Sequence, residues 1–271
     1  MLPHASPPIV LSFAATDPSG GAGIQADLMT TSALNCHCLS VITAVTVQDS
    51  VGVDRIAPVA GALLEQQARK ILADIPVNAF KIGLIGSTEN VDAIARVLAD
   101  YPEIPVVLDP VLASGRGDSM ATATLIDAMR HRLLPLTTVL TPNSPEARRL
   151  AGNGREGTED MPLAHCADQL LALGCRYVLV TGTHEETQRV VNTLYGRTGV
   201  IRADNWDRLP GCYHGSGCTL ASAVAAYLAH GTPIDEAAQR AQEYAWQTLA
   251  HGFRAGKGQF IPNRFFKQFM L

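Results

Sequence analysis

The chain is 271 residues long, enough to bury a large core as one α/β domain or as two small ones. With 47% hydrophobic and only 17% charged residues it reads as a compact soluble globule, which excludes a disordered chain or a coiled coil. A formal net charge of −4, with no basic run, speaks against a nucleic-acid role.

The opening MLPHASPP lacks the basic start and apolar stretch of a signal peptide, and no apolar run reaches the ~18 residues of a membrane span. Six scattered cysteines, at 36, 38, 166, 175, 212 and 218, read as reduced cytosolic thiols and not as a disulfide framework, so a cytoplasmic protein is expected. Cys36-His37-Cys38 has no second pair at zinc-like spacing.

In chain order, short apolar runs alternate with helical patterns. PIVLSFAAT (8–16) predicts a strand and AGIQADLMTTSALN (22–35) a helix. LSVITAVTV (39–47) predicts one strand, followed by the helix GALLEQQARKILADI (61–75). AFKIGLI (79–85) is followed by VDAIARVLAD (91–100), and IPVVLDP (104–110) by ATATLIDAMRHRLL (121–134). TTVLTPN (137–143) leads into SPEARRLAG, and LAHCADQLLALG into the strand RYVLVTGT (176–183), for which RVVNTLYG (189–196) predicts an antiparallel neighbour. Two helices close the chain. The first carries Leu220, Val224 and Leu228 at fourfold spacing and stops at Gly231. The second opens on Thr232-Pro233-Ile234-Asp235, a capping arrangement with proline at the first helical position. This alternation predicts a mostly parallel sheet covered on both faces, its strands rich in Val, Ile and Leu as buried parallel strands are. No repeat or dividing linker interrupts it, so residues 1–271 are expected to form a single three-layer domain.

The unusual residues fall at one edge of that sheet. Asp17 follows the first run, Gln48 the second, and Gly83 and Gly86 the third; Asp109 ends the fourth, Asn143 and Glu146 follow the fifth, and Thr181 and His184 the sixth. Ligands of open α/β sheets bind at the carboxyl ends of the strands, so these segments are expected to converge on one crevice. TDPSGGAGIQAD (16–27) is a glycine-rich turn into a helix that fits neither G-x-G-x-x-G nor a P-loop. CYHGSGCTLASAVAAYLAHG (212–231) places Gly215, Ser216, Gly217 and Cys218 at a helix start, where free N–H groups and the helix dipole make an anion site. A thiol there is expected to have its pKa pulled down towards the thiolate. ASGRGDSM (113–120) predicts a mobile polar loop placed to close over a ligand.

Seven motifs, TDPSGGAGIQAD, VITAVTVQDSVGV, KIGLIGS, VLDPVL, TPNSPEA, VTGTH and HGSGCTLASAVAA, run in this order from about residue 8 to about residue 230. They resemble the hydroxymethylpyrimidine/phosphomethylpyrimidine kinases of thiamine biosynthesis, in the ribokinase-like superfamily. The resemblance implies a ribokinase-like three-layer α/β/α sandwich. It also implies transfer of the ATP γ-phosphoryl group to 4-amino-5-hydroxymethyl-2-methylpyrimidine, and then to its monophosphate to give the diphosphate. On this resemblance Gln48 reads the pyrimidine edge, while Ala22, Asp27, Thr46 and Leu84 shape the substrate pocket. Asp109, Asn143, Glu146 and Thr181 lie at the ATP phosphates, Asp109 and Glu146 near Mg²⁺. The amides of Gly215, Ser216, Gly217 and Cys218 hold the developing anion, and Cys218 accepts or steers the hydroxyl proton. A homodimer is implied as well. The tail GKGQFIPNRFFKQFML carries little general signature.

Two positions depart from the family pattern. Thr181-Gly182-Thr183-His184 stands where many relatives have Lys-Gly-Gly-His, so Thr181 or Arg116 is expected to meet the phosphate in the lysine's place. Ala15 stands where glycine is usual. Three other readings compete: a pyridoxal-type kinase, a non-catalytic pyrimidine-binding module, and a hydrolase with Cys218 as nucleophile. The G-S-G-C motif speaks against the first, and intact Asp109 and Glu146 against the second. The third lacks an obvious oriented histidine, although His214 is close in sequence.

Overall fold

The structure, a computed structural model, describes residues 6–113, 120–154 and 157–267. Apolar, β-branched runs build an eight-stranded sheet in the order β10-β9-β8-β7-β6-β5-β1-β2. Its parallel part comprises β1 (Ile9–Ala14), β2 (His37–Ile42), β5 (Ala79–Ile82), β6 (Val106–Leu108), β7 (Val139–Leu140) and β8 (Tyr177–Thr181). The hairpin of β9 (Val190–Gly196) and β10 (Gly199–Trp206) runs antiparallel along one edge, with Leu179 opposite Leu194.

Alternation along the strands separates two apolar layers. Leu11, Phe13, Phe80, Ile82 and Leu108 face α2 (Gly61–Leu72), α3 (Thr88–Ala99), α4 (Ala123–Ala128), α5 (Ser144–Ala151) and α6 (Leu163–Ala172). Val10, Ala79, Val107, Val139 and Leu179 face α7 (Ser216–Ala229) and α8 (Ile234–Ala250), with the end of α1 (Gly23–Ala33) beside them. Helices therefore cover both faces, as the alternating pattern predicts. Alanines 221, 223, 225 and 226 on α7 are buried, and their small side chains let the helix lie close on the sheet.

Four local expectations are corrected. The run 39–47 is two strands, because Thr43 is pinned between them. Its N–H donates to Ala14 O at 3.1 Å, its hydroxyl to Leu84 O at 2.5 Å, and its carbonyl accepts from Asn90 Nδ2 at 3.0 Å. The chain there leaves the main sheet, and β3 (Ala44–Gln48) pairs antiparallel with β4 (Val53–Pro58) as a separate two-stranded sheet. The strands β4 and β10 match none of the predicted runs; their residues are largely exposed or half-buried and lack a continuous apolar pattern. Within 121–134 regular helix ends at Ala128, and a π turn and a 3₁₀ turn carry the chain to Leu136, with Pro135 unable to donate a helical bond. Finally, α8 starts at Ile234 with Pro233 at its cap position, a residue with no side-chain acceptor, while the Thr232 N–H closes the preceding turn on Tyr227 O at 3.1 Å. Asp235 and Glu236 supply favourable charge in its first turn instead.

Candidate active site

The first loop to reach the carboxyl edge winds around Asp17, which is fully buried. Its carboxylate accepts from Ser19 N at 2.8 Å, Ser19 Oγ at 2.9 Å and Ala22 N at 2.6 Å, and lies 2.9 Å from His214 Nε2. Burial alone would raise this carboxyl, but His214, Ser19 and the Ala22 amide outweigh it and hold the pKa at about 2. Asp17 is thus the peg of the turn, not a solvated residue. Next to this turn comes the start of α7, where Gly215 adopts φ 78°, and a Cβ there would run into Gly21 O. Only glycine fits. The first intrahelical bond of α7 is Thr219 N to Gly215 O at 2.9 Å, so the amides of Ser216, Gly217 and Cys218 precede the ladder as free helix-start donors.

A buried ion pair lies beneath these turns. Lys81 on β5 is 0% exposed, with Nζ 2.9 Å from both carboxylate oxygens of Asp27 on α1. Ser12 Oγ on β1 donates to the same carboxylate at 2.6 Å and Ser222 Oγ on α7 at 2.7 Å. Burial pushes against the ammonium, yet Asp27, with Cys218 and Asp109, holds Lys81 above the ordinary lysine range. A Cβ on Gly83 would stand 2.6 Å from Nζ, so the bare glycine makes room for the amine. Asp27 therefore sits below the ligand edge as a support and does not line it.

Cys218 lies above this pair. Its expected depressed pKa is not found: burial pushes the thiol up to about 12, Lys81 pulls it down, and Asp109 and Asp27 push it up again. The helix start does not overcome desolvation in this crowd of carboxylates. The Gly23 amide and the Asp109 carboxyl lie beside the sulfur, the first favouring the thiolate and the second opposing it. Burial also raises Asp109, and the positions of its two carboxylate oxygens are 3.8 and 3.9 Å from where a Cβ on Gly217 would stand. Its Oδ2 is buried without a partner. Burial raises Glu146 too, and the charge of Asp109 adds to the rise. Both oxygens of Glu146 are engaged, one by Leu112 N at 3.1 Å and the other by Asn143 N at 3.0 Å. Asn143 Oδ1 returns a bond to Glu146 N at 2.9 Å, closing a capping box on α5. Thr181, at the end of β8, bridges to Asn143 and donates its N–H to Pro142 O at 2.9 Å.

The other end of the edge is set by β3. Gln48 Nε2 donates to Thr46 Oγ1 at 2.7 Å and to Thr16 O at 3.3 Å, and Thr46 Oγ1 donates to Thr16 O at 2.7 Å. Leu84 packs with Ala15 and Ala44, against Ile56, Val111 and Met120, as a small apolar wall beside these amides. Gln48, Thr46, Leu84 and Ala22 thus gather on the β1–α1 turn, while Cys218, Asp109, Glu146, Asn143 and Thr181 form a second linked set. Arg116 and the residues around it lie outside the described residues. Lys81, Ser12 and Ser222 carry the support and were not singled out in the sequence. Lys81 had a visible signal, a lone cation in the fully buried strand AFKI, since a charge there has to be paired. Nothing local marks the serines.

Comparison with known proteins shows what the chain as a whole is similar to. Residues 17–263 match the family described as phosphomethylpyrimidine kinase. The hydroxymethylpyrimidine/phosphomethylpyrimidine kinase of Streptomyces coelicolor is 39% identical over 260 residues, covering 94% of either chain. The thiamine biosynthesis bifunctional protein ThiED of Geobacter sulfurreducens is 39% identical over 249 residues, 92% of this chain and 50% of that longer protein. Among solved structures, the pyridoxal kinase of Bacillus subtilis in its ADP complex superposes with a TM-score of 0.85 at 29% identity, covering 96% of this chain and 98% of that one. Among the described residues, no helix is long and apolar enough to cross a membrane.

Two measurements check the geometry. Lys81→Met leaves the Asp27 carboxylate buried and unpaired, and is expected to lower stability by about 3–5 kcal/mol in denaturant melts. Lys81→Met with Asp27→Asn is expected to recover most of that loss; a double variant as unstable as the single one would contradict the buried pair. At pH 8 a thiol with a pKa near 12 is thiolate on the order of one part in ten thousand. Iodoacetamide is therefore expected to label the exposed Cys212 well ahead of Cys218, and preferential labelling of Cys218 would show that its thiolate is stabilised after all.

Proposed function

Because the chain belongs to the phosphomethylpyrimidine kinase family, we propose that it phosphorylates 4-amino-5-hydroxymethyl-2-methylpyrimidine and then its monophosphate, with ATP as donor, in thiamine biosynthesis. The observation that carries this reading is the meeting of the α7 start with Cys218 and Asp109. Free amides there face the place where a migrating phosphoryl group gathers charge, and phosphoryl transfer depends mainly on such positioning and electrostatics.

The apolar wall of Ala15, Ala44 and Leu84 takes the ring, and Gln48, fixed through Thr46, presents its amide to the ring edge. Thr181 and the α5 cap at Asn143 and Glu146 lie on the nucleotide side. Mg²⁺ fits Asp109, whose Oδ2 is a buried hard oxygen without a partner. Glu146 fits less directly, because backbone amides occupy both of its oxygens. When bound, the ion offsets phosphate charge beside these carboxylates. Cys218, a protonated thiol beside Asp109, serves as a relay. As the substrate oxygen bonds to phosphorus and the bridging oxygen leaves on ADP, the hydroxyl proton passes to sulfur and the thiol proton to Asp109.

A pyridoxal kinase is the nearest competitor because it shares the fold, but the identity to the Bacillus subtilis pyridoxal kinase is 29% against 39% for the Streptomyces coelicolor pyrimidine kinase. A homodimer in the cytoplasm completes the proposal. Val45 and Val47, 53% and 55% exposed on the small β3–β4 sheet, offer an apolar strip for a second copy.

Incubation with MgATP and each of hydroxymethylpyrimidine, its monophosphate and pyridoxal, followed by mass detection, tests the reading. Mono- and diphosphorylated pyrimidine are expected; turnover of pyridoxal alone would overturn it. Cys218→Ala is expected to lower kcat about a hundred- to ten-thousand-fold, with Cys218→Ser falling between. Full kcat in both would remove the relay.

A further inference from the structure

The tail that follows α8 has no place in the chemistry above, yet it is bonded into both turns that carry it. Arg264, one residue past the segment that matches the family, is 2% exposed. Its Nη2 donates to Gly21 O at 2.6 Å and its Nη1 to Gly20 O at 3.4 Å. On the other side its Nε donates to Thr219 Oγ1 at 3.1 Å, and that hydroxyl donates to Gly215 O at 2.8 Å. One guanidinium thus spans the β1–α1 turn and the first turn of α7, and reaches through Thr219 to the residue that caps the helix. The planar fork suits this task, since its donors diverge at fixed angles; a single ammonium cannot reproduce that.

The group is held firmly from behind. Tyr244 OH on α8 donates to Arg264 O at 2.8 Å, and Asn263 N donates to Thr248 O at 2.9 Å. Phe266 packs on Tyr244 and His251, with ring centroids 5.9 and 5.4 Å away. Among the described residues, Arg264 makes no salt bridge within 4.0 Å. Burying a cation without a contacting carboxylate is unfavourable, and an apolar side chain would fill the space more stably. What the arginine adds is a fixed separation between two loops.

We propose that Arg264 is a positioning residue: it locks the glycine turn that shapes the substrate pocket against the helix start that receives the phosphoryl group. The proposal rests on the pyrimidine kinase reading for what the two turns do, and on the bonds above for the lock itself. Arg264 bonds the Gly20 and Gly21 carbonyls directly but reaches Gly215 only through Thr219, so its loss acts first on the glycine turn of the substrate side.

The test uses Arg264→Ala and Arg264→Lys in the full chain. In Arg264→Ala the KM for hydroxymethylpyrimidine is expected to rise about tenfold, as for a lost charge-assisted hydrogen bond, with the KM for ATP changed less than about twofold. Added guanidinium is expected to restore part of the loss, and Arg264→Lys, which keeps the charge without the fork, to fall between. Should Arg264→Ala not fold, the lysine variant carries the same ratio of the two KM values. Hydrogen exchange, which needs no substrate, keeps a failure here apart from a failure of the proposed reaction: the hydrogen-bonded amides of Asp17, Ser19, Gly20, Gly21, Ala22 and Thr219 are expected to exchange faster while those of α2 and α3 do not. Unchanged exchange at both turns, or a kcat that falls only with the folded fraction while both KM values hold, would overturn the lock.

Discussion

The carbonyl oxygen of Gly21 lies where any side chain on Gly215 would have to be. Two loops far apart in the chain meet there through bare backbone, and the rest of the ligand edge is arranged around that contact. One loop turns about Asp17 and delivers Ala22 and Gly23; the other delivers His214 and the first amides of α7. His214 bonds to Asp17 across the gap, so the contact is held by a charge-assisted bond as well as by the fit of two glycine turns. From below it rests on the Lys81–Asp27 pair, which ties β5 to α1 and, through Ser12 and Ser222, to β1 and α7. A displacement of any of these elements would shift the helix start relative to the sheet.

The same packing decides the chemistry of the thiol. Asp27, Asp109 and Glu146 are buried close together, with Lys81 fully engaged by Asp27. In that setting a further negative charge on sulfur is unfavourable, whatever the helix dipole offers. A cysteine at a helix start is reactive where its surroundings are electropositive and partly open. Here Cys218 is half-buried but its surroundings are acidic, and the thiol keeps its proton.

The layered architecture was readable from the sequence because apolar runs of two lengths alternate along it, and the burial of parallel strands leaves that pattern undisturbed. Asp109, Asn143, Glu146 and Thr181 could be placed at one edge for the same reason: each ends or follows a recognisable strand. What escaped depended on neighbours distant in the chain. The split at Thr43 follows from its bonds to Ala14, Leu84 and Asn90, none of which a local window contains. The strands β4 and β10 gain their pairing from partners, not from hydrophobicity. The charge on Cys218 turns on Lys81, Asp109 and Asp27, brought together by three different elements. The role of Arg264 was hidden in a tail whose composition looks unremarkable, since its bonds run back to Gly20, Gly21 and Thr219.

Position 181 shows how such long-range bonding engages a strand end. Threonine there brings a hydroxyl and a strand amide, and that amide is already bonded to Pro142 O. The loop that follows is shaped by two arginines from elsewhere. Arg148 grips Glu185 with both terminal nitrogens, at 2.6 and 2.9 Å, and holds that carboxyl at about 2. Arg208 donates to Thr183 O and Thr187 O, each at 2.8 Å. These cations order the loop from outside, and their donors are directed at Glu185 and at carbonyls. On this side of the edge the nearby arginines serve the loop. In the proposed reaction, the burden of meeting a polyphosphate's charge then shifts towards the helix-start amides, whose fields are fixed in place before the nucleotide arrives, and towards Asp109, the residue that would hold a divalent ion.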